Sequence, residues 1–193
     1  MGLFDKLMGG VEKAAEQVSA AAAGQAAEVK SETFTFSTIP TSVAELKALP
    51  EASLDSPFKT TALALLALLY YEKDVNATVE MLNFLKGPDP VSEYEKQFLK
   101  DRLAGKYYKP YSFFEGAAVE NGYEPSMPLK ITVSSNPYSY PEPNWATLYV
   151  KSAGADSERP VKLRLKPSAG TWYLNDIQCL SDIRIPANED PWA

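Results

Sequence analysis

Histidine is absent from this chain of 193 residues, and cysteine occurs once, at Cys179. Without histidine, the protein lacks the side chain that most often moves protons near neutral pH and most often binds metals. A Ser-His-Asp or Cys-His centre is therefore excluded, and so are His-ligated and Cys-rich metal sites. We expect Cys179 to be a small buried apolar side chain, and we expect no cofactor.

Long apolar runs are also missing. The most apolar stretch, residues 62–71, has charged residues on both sides and is far shorter than the 20 or so residues that a bilayer requires. Charged side chains interrupt the first residues of the chain at every point where a signal peptide would need an apolar core. These absences, together with a single cysteine, predict a soluble protein of the cytoplasm.

Positive charge is scarce, because 19 Lys and Arg face 25 Asp and Glu and the net charge is −6. Nucleic-acid binding needs clustered cations that contact phosphates, so an acidic chain of this kind argues against it. The 25 acidic residues show no spacing that selects a catalytic pair. We therefore identify no catalytic residue and favour a protein that is not an enzyme.

The first thirty residues differ in composition from the rest and are predicted to form a helix-prone arm. Leu3, Phe4, Leu7 and Met8 fall on one helical stripe, and an alanine-rich stretch with few bulky apolar groups follows. Acidic residues offset Lys6 and Lys13, whereas helices that bind anionic lipids are usually cationic. The apolar cluster is therefore expected to bind a protein partner or a second copy rather than a membrane.

Residues 31–193 are predicted to form one domain, with helices over about 41–105. Capping residues predict helix starts at Ser42 and at Ser56, the latter followed by an apolar helix to about Glu72. Further helices are predicted over 75–86 and from about 91, and the last of these is expected to carry Tyr94, Phe98 and Leu99 inward. Short connections make the helices antiparallel neighbours in a small bundle.

The second part of the domain, over about 128–187, is predicted to be a sheet. Apolar and polar residues alternate over 129–134, 145–151 and 161–166, and 171–175 and 33–39 also have strand composition. Alternation of this kind indicates an antiparallel sheet with one face on a core. The fold class is therefore α+β, a small helical bundle packed on a four- to five-stranded antiparallel sheet.

Two parts of the chain carry a resemblance to a known family. The helix over 58–70, with the sequence FKTTALALLALLY, and the segments GTWYL at 170–174 and IRIP at 183–186 are similar to a bacterial family classed as a domain of unknown function. The resemblance covers about residues 34–187. It implies a bacterial origin and no assigned activity, so it transfers no functional residue.

Aromatic and proline residues are concentrated over 106–114 and 136–141. Exposed Tyr side chains of this kind suit recognition of peptides or sugars. Aromatic residues in long loops also frequently close one end of a hydrophobic core, and we favour this second interpretation.

The outer face of the sheet is the candidate binding surface. If Val161, Leu163 and Leu165 face the core, the cations between them must face outward, because strand side chains alternate. The same argument places aromatic residues of the preceding strand outside, beside those cations. The predicted surface consists of Trp145, Tyr149, Lys151, Lys162, Arg164 and Lys166.

Two explanations of this surface remain open. A cation above the ring of Trp145 or Tyr149 would be a structural feature of the sheet alone. An anionic ligand or acidic segment bound there would be a function. The leading interpretation of the chain is a non-catalytic binding or assembly module; the alternatives are a carboxylate-dependent hydrolase and a peripheral membrane protein held by the N-terminal helix.

Overall fold

The computed structural model describes residues 29–192. In that range five antiparallel strands form a single sheet in which each strand pairs with its neighbours in chain order. The predicted α+β class is confirmed, with the larger of the two expected strand numbers. The strands are β1 (Ser31–Phe36), β2 (Leu129–Ser134), β3 (Trp145–Val150), β4 (Arg159–Lys166) and β5 (Thr171–Asp176).

Alternation of apolar and polar residues gives the sheet one buried face. Ile131, Leu148 and Leu163 have no exposed surface, whereas their immediate neighbours along each strand are exposed or half-buried. β2 and β3 pair at only two positions, Val133 with Val150 and Ser134 with Tyr149. The sheet as a whole is curled into a half-barrel.

The described range contains five helices, and the two longest pack against the sheet. Ser42, Ser56, Asp74 and Ser92 each accept a hydrogen bond from the first turn of a helix, which confirms the predicted starts after Ser42 and Ser56. The helices are α1 (Val43–Lys47), α2 (Pro57–Leu68), α3 (Val75–Lys86), α4 (Glu93–Leu103) and α5 (Tyr108–Tyr111).

The second helix, α2, is the centre of the core. Eleven of its twelve residues are buried, and it contacts all five strands. The helix is apolar on every side because the curled sheet surrounds it on one side and α3 packs against it on another. The predicted end near Glu72 is too late, since the chain leaves the helix after Leu68 and forms successive turns up to Lys73.

One prediction about the orientation of α4 is wrong. Tyr94 was expected to point inward, but 81% of its surface is exposed. The buried side of α4 is formed by Leu99 and Leu103, which are four residues apart and therefore share a face, and Phe98 is half-buried. The helices also do not form a separate bundle, because α2 belongs to the sheet as much as to its helical neighbours.

The polypeptide within residues 29–192 contains no helix that is both long and apolar enough to cross a bilayer. The apolar cluster at Leu3, Phe4, Leu7 and Met8 lies outside the described residues, as does most of the predicted arm.

Candidate functional site

The sheet places the predicted surface residues of β3 and β4 on adjacent strands. Trp145 is paired with Arg164, and Thr147 is paired with Lys162. Directly paired residues of antiparallel strands project from the same face. Tyr173 of β5 is the partner of Arg164 on the other side, so a row of Trp145, Arg164 and Tyr173 crosses three strands.

Arg164 lies over the ring of Trp145, which is the contact that the structural explanation of this surface predicts. Its guanidinium carbon is 5.0 Å from the centre of the Trp145 ring. The ring is half-buried while Arg164 is exposed, so the contact orients the guanidinium without removing it from solvent. A contact of this kind at an exposed site stabilises by about 0.5–1 kcal/mol.

The outward-facing cations of β4 form no ion pair within the described residues, although Asp176 of β5 is the register partner of Lys162. Lys162, Arg164 and Lys166 are all exposed, and in the described part of the chain none of them has a carboxylate within 4.0 Å. The acids that do form ion pairs there bind other cations, namely Lys30, Lys59, Lys86, Lys96 and Arg184. We call Lys162, Arg164 and Lys166 the basic row.

The other two predicted surface residues lie toward the end of β3. Tyr149 is paired with Pro160 and Ser134, near the opposite ends of β3 and β4. Lys151 follows the end of β3 and lines an opening of about 420 Å³ with Thr132 and the segment 112–117. Trp145 and Tyr149 therefore flank the pair of Thr147 and Lys162 on the same face, and Lys151 lies beyond the end of β3.

A cleft at the end of the basic row was not predicted. It has a volume of about 390 Å³ and lies between the β4–β5 hairpin and the connection from α3 to α4. We call it the hairpin cleft. Its lining consists of Lys86, Pro88, Asp89, Arg164, Leu165, Lys166, Pro167, Tyr173, Leu174 and Asn175.

One glycine fixes a wall of the hairpin cleft. Gly87 ends α3 with a φ of +62°, a conformation that L side chains rarely adopt. A Cβ at this position would also collide with the ring of Tyr173. Glycine is therefore required on both counts, and its lack of a side chain allows Tyr173 to lie flat against the backbone that leads to Pro88.

The charge balance of the hairpin cleft is positive. Lys86 is only 5% exposed; its Nζ donates to Oε1 of Glu95 at 2.7 Å and to the carbonyl of Asn175 at 3.1 Å. Partial burial disfavours the charged form of Glu95, but hydrogen bonds from Lys86 and Ser92 outweigh it and lower the pKa of Glu95. Because Glu95 neutralises Lys86, the lining keeps two uncompensated cations, Arg164 and Lys166, against one acid, Asp89.

Cys179 and Lys109 are buried titratable side chains outside the hairpin cleft, and they do not form a reactive centre. Burial raises the pKa of Cys179 to about 12, so its thiol stays protonated, consistent with the expected small buried side chain. Lys109 is 7% exposed, and its Nζ donates to the carbonyl of Leu180 at 3.3 Å. Burial, with Lys106 and Arg102 nearby, lowers the pKa of Lys109 despite the opposing charge of Asp182.

The aromatic segments 106–114 and 136–141 differ in how far their rings are buried. Tyr108, Phe113 and Phe114 are buried, and Tyr108 stacks on Tyr123 with ring centres 5.5 Å apart. Over 106–114 the aromatic residues therefore mainly close the core, as we favoured. In the second segment, by contrast, Tyr138 is largely exposed.

Within residues 29–192 no group of three His, Cys, Asp or Glu side chains is placed to hold a metal ion. The arrangement that does stand out is electrostatic: exposed cations, aromatic rings and a cleft at one end of the sheet. This combination suits the binding of an anionic partner.

The model of the family described as a domain of unknown function, DUF6935, matches residues 38–187. The match spans most of the chain and agrees with the resemblance of the helix over 58–70 and the segments at 170–174 and 183–186. Neither a curated protein nor a solved structure matches the chain.

Proposed function

For this chain, which belongs to the DUF6935 family, we propose a non-catalytic binding module that accepts an acidic segment of a partner protein. The observation that supports the proposal best is the basic row, three exposed cations without a carboxylate partner on a chain whose net charge is −6. Like charges at successive outward positions repel each other. An acidic ligand would relieve that repulsion.

The neighbouring aromatic rings add an apolar contact to the charge. Trp145 and Tyr173 are half-buried on either side of Arg164, so each leaves part of its ring accessible. Aromatic residues and Arg are the residue types most enriched where binding energy is concentrated at protein interfaces. An acidic segment that also carries an aromatic or aliphatic residue would match both features.

One observation bears on the alternative of a carboxylate-dependent hydrolase. Glu95 and Asp176 line a common cavity, but its volume is about 30 Å³, which admits a water molecule and no substrate. Glu95 is moreover bound by Lys86 and Ser92. These contacts describe a structural ion pair, and we retain the binding module as the better supported function.

Three further predictions carry over from the sequence. Self-association through Leu3, Phe4, Leu7 and Met8 is untested, and so is the alternative of a peripheral membrane protein held by the arm, since those residues lie outside the described part. A cytoplasmic location also remains a prediction.

The binding module is tested with a defined acidic probe. A fluorescein-labelled peptide of six glutamates and one tryptophan is titrated with the protein, and binding is followed by fluorescence anisotropy. We expect binding that weakens with added salt, because exposed charges are screened over about 8–10 Å at physiological ionic strength. The double variant Arg164→Glu and Lys166→Glu should bind at least tenfold more weakly.

A matched control separates the basic row from overall charge. Lys73→Glu with Lys100→Glu changes the net charge by the same amount at two exposed positions away from the sheet. We expect this variant to bind the peptide nearly as well as the unaltered protein. Equal weakening by both double variants, or no binding of the peptide at low salt, would contradict the proposal.

A further inference from the structure

We propose that the hairpin cleft binds the segment 187–192 of a second copy of this chain, so that the protein associates head to tail. The inference rests on the proposed function, since it names the acidic segment that the basic row accepts. It depends on three observations: the exposure and charge of the segment, the lining of the hairpin cleft, and the distance between them in one molecule.

The segment carries an unpacked tryptophan next to two acids. Trp192 is 94% exposed, and Glu189 and Asp190 precede it. Its local conformation is ordered, because Asp190 Oδ1 accepts a hydrogen bond from the backbone of Trp192 at 2.9 Å, and residues Ala187–Glu189 form a 3-10 turn. A large apolar side chain held in solvent in this way offers contact area at little entropic cost.

The hairpin cleft has the matching features. Pro88, Pro167 and the ring of Tyr173 provide apolar surfaces against which an indole can pack, and Arg164 and Lys166 provide the cations for two carboxylates. A volume of about 390 Å³ is in the range of pockets that bury a small ligand or a large side chain. Asp89 is the only acid of the lining and would face the acids of the segment unfavourably.

In the structure the segment does not occupy the hairpin cleft of its own molecule, because Trp192 is 94% exposed. The residues just before the segment are held near the beginning of β4, where Arg159 donates to the carbonyl of Asp182 at 2.7 Å and the backbone of Arg184 donates to Gly154 at 2.9 Å. The cleft lies at the other end of β4, about 17 Å away from Arg159 to Arg164 at 3.3 Å per residue.

A further hydrogen bond holds the segment in its turn. The backbone of Asp190 donates to the carbonyl of Pro186 at 3.1 Å, which ties the 3-10 turn to its start. Trp192 lies two residues beyond this tie, a span of at most about 7 Å. Because these hydrogen bonds keep the segment outside the cleft of its own molecule, we place the contact between two copies, and such a heterologous contact repeats into chains or rings.

The test uses two variants that each destroy one half of the contact. Sedimentation velocity of the unaltered protein should show a sedimentation coefficient that rises with concentration. Trp192→Ala removes the segment's anchor, and Arg164→Glu with Lys166→Glu removes the cations of the cleft. Each variant alone should stay at the monomer value, and Trp192 is so exposed that its replacement leaves the fold intact.

Mixing the two variants gives the decisive result. The Trp192→Ala protein retains its cleft and the double variant retains its segment, so together they can form one junction and no more. We expect a 1:1 heterodimer and no larger species. Failure to form the heterodimer, or concentration-dependent association that Trp192→Ala leaves unchanged, would overturn the proposal.

A third variant predicts a gain instead of a loss. Asp89→Asn removes the acid that opposes the incoming segment, so the association should tighten several-fold, and weaker association would count against this pose. The acidic peptide of the preceding section separates the two proposals. If it binds and the basic row is required, but the mixed variants form no heterodimer, the binding module stands and the second copy is not its partner.

Discussion

Val161 and Leu163 point from β4 into the core, whereas Lys162 and Arg164 point from the same strand into solvent. The inner residues contact α2 and neighbouring strands, and their burial stabilises the fold. The outer residues lack carboxylate partners among the described residues and gain little from folding. One strand thus separates residues that specify structure from residues that are available for binding.

The comparison extends to the lysines. Lys86 and Lys109 are buried inside the layer of helices, while Lys162 and Lys166 are exposed on the sheet. Lys86 has Glu95 as a partner, but Lys109 has only the carbonyl of Leu180 and the more distant Asp182. A buried cation costs free energy unless a carboxylate compensates it, so the two buried lysines should differ from each other and from the exposed pair.

The inner face of β4 carries the largest expected effect. Leu163→Ala should lower the free energy of unfolding by about 2–5 kcal/mol, because Leu163 has no exposed surface and its removal leaves a cavity. Urea unfolding followed by circular dichroism measures the change. A loss below about 1 kcal/mol would mean that the core around α2 can collapse onto the vacancy.

The second largest effect on stability is expected for the ion pair of Lys86 and Glu95. Glu95→Gln leaves Lys86 buried without its carboxylate, while a glutamine still suits the capping box with Ser92. Glu95 is 34% exposed, so water partly compensates Lys86, and we expect a loss of about 1–3 kcal/mol at neutral pH, less than for a fully buried pair. Lys86→Met should cost less, because Glu95 can then be hydrated.

The pH dependence of this loss follows from the lowered pKa of Glu95. The pair stabilises the fold above the pKa of an unfolded glutamate, about 4.3, and this contribution disappears as pH falls through the lower folded pKa. The difference between the unaltered protein and Glu95→Gln should therefore be constant from pH 6 to 8 and shrink below about pH 4. A difference that grows in acid would contradict the assignment.

The sequence was sufficient for the elements that local patterns determine. Alternation located β2 to β4, strand composition located β5, and Ser42 and Ser56 located two helix starts, because strand and capping signals depend on residues a few positions apart. That the outward residues of β3 and β4 adjoin also followed, since sequential strands usually pair.

The hairpin cleft could not be predicted in this way. It requires Gly87 and Pro88 to lie beside Tyr173, which is far away in the chain and is brought close only by the packing of α3 on β5. The prediction that Tyr94 points inward was wrong for a related reason. On α4 an aromatic residue within an apolar pattern looked buried, but Leu99 and Leu103 determine which side of the helix meets the core.

A smaller effect, of opposite sign, is expected for the other buried lysine. Lys109→Met keeps a chain of similar length in the core and removes the charge, so the variant should be more stable at neutral pH by about 1 kcal/mol. Burial lowers the folded pKa of Lys109 below the unfolded value of about 10.4. Between these two values the unfolded chain binds more protons, so the stability of the unaltered protein rises with pH.

The variant lacks that rise, and its advantage should close as pH approaches about 10. Tyrosines with raised pKa values, such as Tyr108 and Tyr123, weaken both proteins equally above that pH and cancel in the difference. Thermal unfolding from pH 6 to 10 gives the comparison. A variant less stable than the unaltered protein at neutral pH would show that the bond to Leu180 outweighs the cost of burying the charge.

The outer face should show the smallest effect on stability and the largest on binding. Lys162→Ala removes an exposed cation with no carboxylate partner in the described range, so the free energy of unfolding should change by less than about 0.5 kcal/mol. Arg164→Ala also removes the contact with Trp145 and should cost at most about 1 kcal/mol. Urea unfolding of both variants beside Leu163→Ala places neighbouring residues of one strand on a single scale. If either exposed variant approached the cost of Leu163→Ala, the basic row would have to be regarded as part of the fold, and its lack of carboxylate partners would no longer argue for a ligand.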